Sequence, residues 1–430
     1  MLSNRPINNR KADFESVIEN HFSASEPVSN HELLRGRSDV LQKIDRAFKT
    51  RGRHIFVYGE RGVGKTSLAR SAATWHQPSQ LGLKTVQCER AVSAYDVLRD
   101  IASQIVPRDR ERRTSESLKI AIPGLSWEKT RDLAMGTIPE FGTINEAFAV
   151  VRKLAETYAD PPVVILDEYH KLAAGEEREK VADFVRGVSD QEIPIRFIIC
   201  GVGETLDEMI TRDPSHGRFL KPIALERISI DARQEILTEA AKELGITLDR
   251  ETVIRTAMIS DGYPYYVKLI GEHLFWALLD DNSEPAQTTP DHFDRALLDA
   301  SEDAEANFKE TYEVATRKYK DDYSEILWAF ADNSMLERKY DEVYDKSYLP
   351  LMDERRAKPI ALDTFYKRIR TLCRESHAGV LQAKGNGWYR FRENRIRGYV
   401  RLIAERASVQ LGSEHHLGIK RIKKRSGNLV

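Results

Sequence analysis

A glycine-rich loop between an apolar run and a helix-prone segment is the clearest chemical feature of this 430-residue sequence. The apolar run covers residues 55–58, the loop reads Gly-Glu-Arg-Gly-Val-Gly-Lys-Thr over 59–66, and the helix-prone segment begins at Ser67. This is the order of strand, G-x-x-x-x-G-K-[ST] loop and helix that binding of a nucleoside triphosphate requires. Glycines leave backbone N–H groups open to phosphates, and the positive end of the helix dipole adds to the attraction.

The loop residues have distinct predicted parts in such a site. Lys65 can reach the β- and γ-phosphates, and the hydroxyl of Thr66 can ligate Mg²⁺, so ATP and Mg²⁺ are the predicted cofactors. A chance glycine-rich turn beside a lysine is the alternative, and the match at all fixed positions and at both flanks disfavours it. The predicted nucleotide-binding residues of the loop are Gly59, Glu60, Arg61, Gly62, Val63, Gly64, Lys65, Thr66 and Ser67.

A second motif lies at the end of the apolar run 162–166, where Asp167 and Glu168 follow. A continuous apolar run is typical of a strand buried on both faces of a parallel sheet. Ligands of such sheets bind at the carboxyl ends of the strands, which is where the two carboxylates are expected to lie. We predict that Asp167 holds Mg²⁺ and that Glu168 is the catalytic base that polarises the attacking water.

Arginines and polar residues around the next strand, 195–200, are weaker candidates. Glu204 or Thr205 could sense the γ-phosphate at its end, or no sensor exists there. Arg212 and Arg218 follow on a segment where an exposed arginine could reach the γ-phosphate of a neighbouring subunit. Arg218 is the predicted catalytic arginine of the two, although a plain surface arginine fits the pattern equally well.

Two short motifs outside the loop could approach the nucleotide. Gly36-Arg37 stands about one helix before the first strand and is expected to close over the adenine, or else only to begin a helix. Gly262-Tyr263-Pro264 places a Gly-x-Pro at a helix start, which either brings the first turn of that helix close to the nucleotide through Pro264 or serves as a cap.

The C-terminal part of the chain is strongly basic. Residues 355–430 contain 19 of the 66 Lys+Arg but only 5 of the 67 Asp+Glu. Helices followed by two strands around Gly385-Asn386-Gly387 predict a winged helix, with the third helix at 365–374. Its predicted DNA-binding residues are Lys367, Arg368, Arg370, Arg374, Lys384 and Arg390, joined by Arg392 on the wing. The alternative is a winged helix that contacts protein, with solvated charges.

The predicted fold class is α/β, with a parallel-sheet P-loop NTPase core, a helical lid subdomain and a C-terminal winged-helix domain. The expected divisions are an irregular N-terminal arm at 1–30, the core at 31–228, the lid at 229–303, the winged helix at 304–410 and a basic tail at 411–430. Residues 107–143 look like an insertion whose role the sequence does not indicate.

Composition excludes several classes of protein. Hydrophobic residues at 41% and charged residues at 31% are typical of a water-soluble protein, and no apolar run approaches the roughly 20 residues of a membrane span. Cys88, Cys200 and Cys373 lie far apart without C-x-x-C spacing, which disfavours zinc and a disulfide framework. A cytoplasmic location without membrane contact is therefore expected.

Taken together, these motifs resemble the AAA+/STAND group of P-loop ATPases, in particular its origin-recognition-like branch, over residues 33–400. In that group a Gly-Arg box contacts adenine and a Gly-x-Pro of the lid touches the nucleotide, which the resemblance transfers to Gly36-Arg37 and to Gly262-Tyr263-Pro264. The chain departs from the pattern at Tyr265 and Tyr266, where the lid often carries an arginine, and at the glycine-rich sensor strand. It also lacks the repeat array that STAND proteins usually carry, which favours a DNA-handling role.

The leading functional hypothesis is an ATP-dependent molecular switch with slow hydrolysis, in which ATP binds between core and lid and drives homo-oligomerisation on DNA. A second hypothesis is an adaptor of transposition or replication type that recruits another factor to DNA, with incidental hydrolysis. A third is a defence or signalling ATPase that activates a separate effector protein.

Overall fold

The computed structural model describes residues 11–23, 34–77, 82–89, 93–107, 125–134, 137–173, 175–203, 206–207, 216–281, 286–318 and 320–412. These residues form two compact units. The core unit contains the described residues between Pro27 and Glu226, and the helical unit contains those up to Glu26 together with those from Arg227 onward. Over these ranges, no helix is long and apolar enough to cross a lipid bilayer.

The core unit is built on a five-stranded parallel sheet. Its strands are β1 (His54–Tyr58), β2 (Lys84–Gln87), β3 (Val163–Asp167), β4 (Arg196–Gly201) and β5 (Leu220–Ala224), in the order β2-β3-β4-β1-β5. The helices of this unit are Ser38–Phe48, Lys65–His76, Ala94–Gln104, Trp127–Ala134, Ile144–Ala155, Glu176–Asp190 and His216–Phe219. Parallel strands require crossover connections, which the helices between successive strands supply. The predicted parallel-sheet P-loop core is confirmed.

Burial explains why the central strands read as continuous apolar runs. Every residue of β3 is buried, and so are the first four residues of β1, because helices cover the sheet. Val164 of β3 lies opposite Phe197 of β4, whose ring packs against Phe184 of helix Glu176–Asp190. The two carboxylates that end β3 therefore stand on a rigid element.

The helical unit consists mainly of helices, and three of them begin with a side-chain cap. Its helices are Lys11–Phe22, Ile230–Leu244, Arg250–Ile259, Pro264–Leu279, Pro290–Asp303, Ala306–Thr316, Lys320–Ala331, Tyr340–Val343, Leu349–Glu354, Leu362–Leu372 and Ile396–Arg406. The side chains of Ser229, Asp249 and Thr289 each accept a hydrogen bond from the backbone of the first helical turn.

Residues 11–22 correct the prediction of an irregular N-terminal arm. They form a helix whose Phe14, Val17, Ile18 and Phe22 are buried against helices Ile230–Leu244 and Pro264–Leu279. The Phe22 ring approaches Gly271 so closely that a Cβ there would lie 2.5 Å from its Cε1. The spacing of these apolar residues places them on one face of the helix. That face packs against helices far along the chain, which stabilise it.

The C-terminal part of the helical unit contains a three-stranded antiparallel sheet. It comprises β6 (Glu337–Lys339), β7 (Leu381–Gly385) and β8 (Trp388–Phe391), in the order β6-β8-β7. The hairpin between β7 and β8 is confirmed, and Asn386 and Gly387 take the positive φ angles that its turn requires. Strand β6 was not predicted.

Helix Leu362–Leu372 begins three residues earlier than expected, yet it buries Phe365, Ile369 and Leu372 as predicted.

A buried ionic cluster joins the start of helix Pro264–Leu279 to the last helix. The carboxylate of Asp261 contacts Arg227 at 2.9 Å, Arg397 at 2.5 Å and Arg401 at 3.0 Å. The guanidinium of Arg397, 1% exposed, also donates to the carbonyls of Phe330, Met335 and Asn333. Arg397 and Arg401 are therefore buried and paired, and they do not add to the surface charge of the basic C-terminal part.

Candidate nucleotide-binding site

The glycine-rich loop starts where two strands of the sheet end together. The N–H of Leu225, just after β5, donates to the carbonyl of Tyr58 at 2.7 Å. A Cβ on Gly59 would lie 2.2 Å from the carbonyl oxygen of Leu225, so only glycine fits at this position. Gly64 has φ +95° and caps helix Lys65–His76, and a Cβ placed there would meet nothing within 4 Å. The loop thus leaves open space beside the helix N-terminus, as an anion site needs.

The amine of Lys65 lies inside the curve of this loop. Its Nζ donates to the carbonyls of Gly59 at 3.0 Å and of Glu60 at 2.8 Å. Burial lowers the pKa of Lys65, an effect that the nearby charges of Glu168 and Asp167 oppose. Two carbonyl dipoles are weaker partners for a buried ammonium than a phosphate would be. The position of this amine therefore fits the phosphate-binding part predicted for it.

Thr66 and Asp167 meet in the structure although 101 residues separate them. The Thr66 hydroxyl donates to Asp167 Oδ2 at 2.9 Å, and Asp167 Oδ1 accepts from the N–H of Glu168 at 2.9 Å. Among the described residues, no group of three or more His, Cys, Asp or Glu could hold a metal alone. One hydroxyl and one carboxylate, completed by phosphate oxygens and water, form the donor set that Mg²⁺ commonly takes.

Glu168 directly follows β3 with a left-handed backbone, at φ +56°. Its Oε2 lies 3.5 Å from Nε2 of His170 and 3.3 Å from Nζ of Lys171, and its side chain is about one-third exposed. A non-glycine residue in this conformation is uncommon and is found where the surroundings hold it in place. Glu168 therefore directly follows the Thr66–Asp167 pair in the chain, and its carboxylate remains accessible to water.

His170 is a site residue that the sequence analysis missed. Burial lowers its pKa, and the positive charge of Lys65 acts in the same direction while Glu168 opposes it, so the ring is neutral near pH 7. Its Nδ1 is buried without a hydrogen-bond partner among the described residues. The sequence Asp-Glu-Tyr-His at 167–170 contains a hint of this residue, because it places a histidine two residues after the candidate base.

Arg37 lies beneath the loop. Its buried guanidinium donates to the carbonyl of Val63 at 3.1 Å and to that of Glu226 at 2.5 Å, and burial lowers its pKa. Gly36 before it is exposed, with φ +65°. These bonds tie the loop to the chain that leaves β5. Contact of Gly36 and Arg37 with adenine remains a prediction.

The structure does not bring Arg218 to the loop of its own chain. This exposed arginine stands two residues before Leu220, which pairs with His54 at the start of β1, whereas the loop follows Tyr58 at its end. Arg218 and the glycine-rich loop therefore lie at opposite ends of β1, whose five residues span on the order of 17 Å. A part for Arg218 in a neighbouring subunit's site stays a prediction. Glu204, Thr205 and Arg212 lie outside the described residues.

Pro264 belongs to the helical unit, as the first residue of helix Pro264–Leu279. The preceding Gly262 has φ +84°, and a Cβ there would lie 2.6 Å from Cβ of Arg227. The close approach of Arg227 is therefore sufficient to explain why residue 262 is a glycine. The nucleotide contact predicted for Pro264 is untested.

The predicted DNA-contacting residues divide into two groups. Lys367, Arg370 and Arg374 are exposed on or just after helix Leu362–Leu372. Arg368, predicted with them, is only 22% exposed, pairs with Asp322 at 3.1 Å and lies over the Tyr323 ring. On the hairpin, Lys384 and Arg390 both contact Glu337, at 3.9 and 3.4 Å, and Arg392 pairs with Glu375 at 3.3 Å.

Comparison with known proteins agrees with the core architecture. Residues 48–210 match the family model described as an AAA domain. A Walker-type ATPase of Pyrococcus abyssi superposes with a TM-score of 0.51 at 17% identity, covering 87% of this chain and 98% of that one. The Orc1 protein of Aeropyrum pernix in complex with DNA gives 0.41 at 15% identity, over 86% and 92% of the two chains.

The RuvB branch migration motor of Thermotoga maritima gives a TM-score of 0.43 at 12% identity, over 89% and 98% of the chains. No curated protein sequence matches this chain significantly. At such identities a structural likeness speaks to the fold alone. The family match, the parallel sheet and the geometry around Lys65 agree on a P-loop NTPase fold for residues 48–210, similar in sequence to AAA domains.

Proposed function

We propose that this protein is an ATP-dependent molecular switch that hydrolyses ATP slowly with Mg²⁺ and acts on DNA as a homo-oligomer. The observation that carries the proposal is the convergence of the buried Lys65 amine, the Thr66–Asp167 pair and the partly exposed Glu168 at the carboxyl edge of one sheet. A phosphate-binding loop, a metal-binding pair and a water-facing carboxylate are the parts that phosphoryl transfer to water needs.

Each of these residues has a part in the proposed reaction. MgATP supplies the phosphoanhydride bond and a divalent charge that offsets its oxygens. Lys65 exchanges its two carbonyl partners for phosphate oxygens, and Thr66 and Asp167 hold the metal ion. Glu168 orients a water molecule and accepts its proton, while the neutral ring of His170 limits the orientations that this carboxylate can take.

We expect the variant His170→Ala to lower kcat for ATP hydrolysis about tenfold with little change in KM, because an incorrectly oriented Glu168 affects the transition state more than substrate binding. Steady-state ATPase assays measure both constants. Lys171→Ala is the matched control, since Lys171 contacts the same oxygen of Glu168 but is half exposed. Equal losses in the two variants would show that His170 has no special part.

The C-terminal strands and helix are proposed to form a winged helix that meets DNA. Helix Leu362–Leu372 precedes the β7–β8 hairpin, and β6 completes a small sheet with it. Lys367, Arg370 and Arg374 offer exposed cations on that helix, which suits contact with phosphates. We further propose that Arg218 completes the site of a neighbouring subunit and that Pro264 contacts the nucleotide.

The test is the ATPase rate and oligomeric size of the full chain, with and without double-stranded DNA, at two salt concentrations. Stimulation by DNA that weakens at the higher salt supports the proposal, since phosphate contacts release counterions. Lys65→Ala should abolish turnover under every condition and serves as the control for contaminating ATPases. Turnover of wild-type strength in Lys65→Ala would overturn the nucleotide site itself.

A switch directed at protein rather than DNA is the second candidate. It is favoured by the pairing of Arg368, Arg390 and Arg392 with carboxylates, which leaves less unpaired positive charge than the sequence suggests. Nucleotide-driven assembly without any effect of DNA on the rate would favour this candidate, either as a recruitment adaptor or as an activator of an effector.

A further inference from the structure

A cavity of about 650 Å³ lies in the core unit at the end of the sheet opposite the glycine-rich loop. Its walls come from the start of β1, the start of β4 and the last residues of helices Ser38–Phe48 and Lys65–His76. Small-molecule sites usually have volumes of roughly 300–1,000 Å³, so its size suits a compact metabolite. The strands of the sheet separate this cavity from the site around Lys65.

Two buried nitrogen atoms at this cavity lack partners. Neither Nε of Arg53 nor Nε2 of His76 has a hydrogen-bond partner among the described residues. Buried polar atoms are nearly always satisfied, and one left without a partner destabilises a protein. Both atoms belong to side chains that line the same cavity, so a rotation of either side chain would bring its nitrogen to a ligand with hydrogen-bonding groups.

The charges around the cavity define the sign of that ligand. Lys49, Arg51, Arg53 and Arg196 line it, against only Asp45 and Glu192. Oδ2 of Asp45 forms an ion pair with Nζ of Lys49 at 2.7 Å, and its Oδ1 lies 4.0 Å from Nε2 of His76. The carboxylate of Asp160 also acts on Arg196 from outside the cavity wall. Four cations therefore face three carboxylates, and the excess of positive charge favours an anion.

An aromatic surface stands beside these cations. The guanidinium of Arg196 lies over the Phe48 ring, 5.3 Å from its centroid, and the His76 ring meets Phe48 edge-on at 5.0 Å. Burial lowers the pKa of both Arg196 and His76. An imidazole that stays neutral can donate or accept a hydrogen bond according to its tautomer. The buried ring of Phe48 supports both side chains at the cavity wall.

We propose that this cavity is a second ligand site, which binds a small organic phosphate through Arg53, Arg196 and His76. A phosphate group offers several acceptor oxygens, which matches the forked N–H groups of two arginines. The proposal is independent of nucleotide hydrolysis at Lys65, because no residue of the cavity takes part in that site.

The experiment uses the full chain carrying Lys65→Ala, so that the glycine-rich loop contributes little to phosphate binding, with inorganic pyrophosphate as the probe. Isothermal titration calorimetry should show one binding event. Adding Arg53→Gln and Arg196→Gln should weaken it at least tenfold. Adding Arg46→Gln instead is the matched control, since Arg46 is an exposed arginine of helix Ser38–Phe48 outside the cavity, and it should leave the affinity unchanged.

Two results would overturn the proposal: no pyrophosphate binding to Lys65→Ala, or equal affinity in the Arg46 and the Arg53/Arg196 variants. Folding is checked independently by placing Arg53→Gln and Arg196→Gln in the chain with Lys65 intact. This protein should still be stabilised by MgATP in a thermal unfolding assay, which shows that a loss of pyrophosphate binding does not come from a disrupted core.

Discussion

Replacing Glu168 with glutamine is expected to lower kcat for ATP hydrolysis by about 10²- to 10⁴-fold, the usual contribution of a positioned general base. Glutamine keeps the size and the left-handed backbone environment of Glu168 but cannot take a proton from water. Because the Thr66–Asp167 pair and Lys65 are untouched, MgATP should still bind with close to wild-type affinity. Single-turnover ATPase assays and titration with a fluorescent ATP analogue measure the two quantities separately.

A matched control for this variant is Glu156→Gln, at the exposed end of helix Ile144–Ala155. It makes the same chemical change on the same unit and should leave kcat unaltered. Asp167→Asn should behave differently from both, because it weakens the metal site and so lowers the dependence of ATP affinity on Mg²⁺. A Glu168→Gln protein with wild-type turnover would assign proton acceptance to another group.

The second large effect is expected at Asp261, where Asp261→Asn should destabilise the helical unit by about 3–5 kcal/mol, because it removes one partner of a buried ionic cluster. Arg397 and Arg401 would then keep buried positive charges, offset by carbonyl oxygens and, for Arg401, by the carboxylate of Asp332. Amide hydrogen exchange in helix Ile396–Arg406 reports the loss directly, since protection there depends on the opening free energy of this unit.

The control for Asp261 is an exposed ion pair at the C-terminal end of helix Pro264–Leu279, which begins three residues after Asp261. Asp280 contacts Arg295 at 2.8 Å with both side chains about half exposed, and Asp280→Asn should change stability by less than about 1 kcal/mol. A similar exchange rate in both variants would mean that the Asp261 cluster contributes no more than a surface pair. Stability of the core unit should be unchanged in either protein.

Local patterns sufficed for the nucleotide site because its residues are adjacent in sequence or end a strand. The loop at 59–66 has fixed spacing, and Asp167 ends a run whose apolar character already predicts burial between helices. Sequence did not indicate His170, since a histidine near a carboxylate has many ordinary explanations. Its burial and its distance to Glu168 appear only in three dimensions.

The errors share a physical cause, which is partners far along the chain. Helix Lys11–Phe22 looks weak alone, and its apolar face is stabilised by helices that begin at residues 230 and 264. Arg397 reads as a surface charge because its carboxylate partner Asp261 lies 136 residues earlier. Propensity and periodicity describe neighbours within a helix or strand and carry no information about such pairs.

The packing of helix Lys11–Phe22 within the helical unit has a consequence for synthesis. The chain starts this unit, completes the whole core unit, and returns to the first unit only at Arg227. At roughly 5–20 residues per second, the ribosome needs about 10–40 s to make what lies between, while Phe14 and Phe22 await their partners. The ATPase core can therefore fold first during translation, and the early helix is a natural place for chaperones to bind the nascent chain.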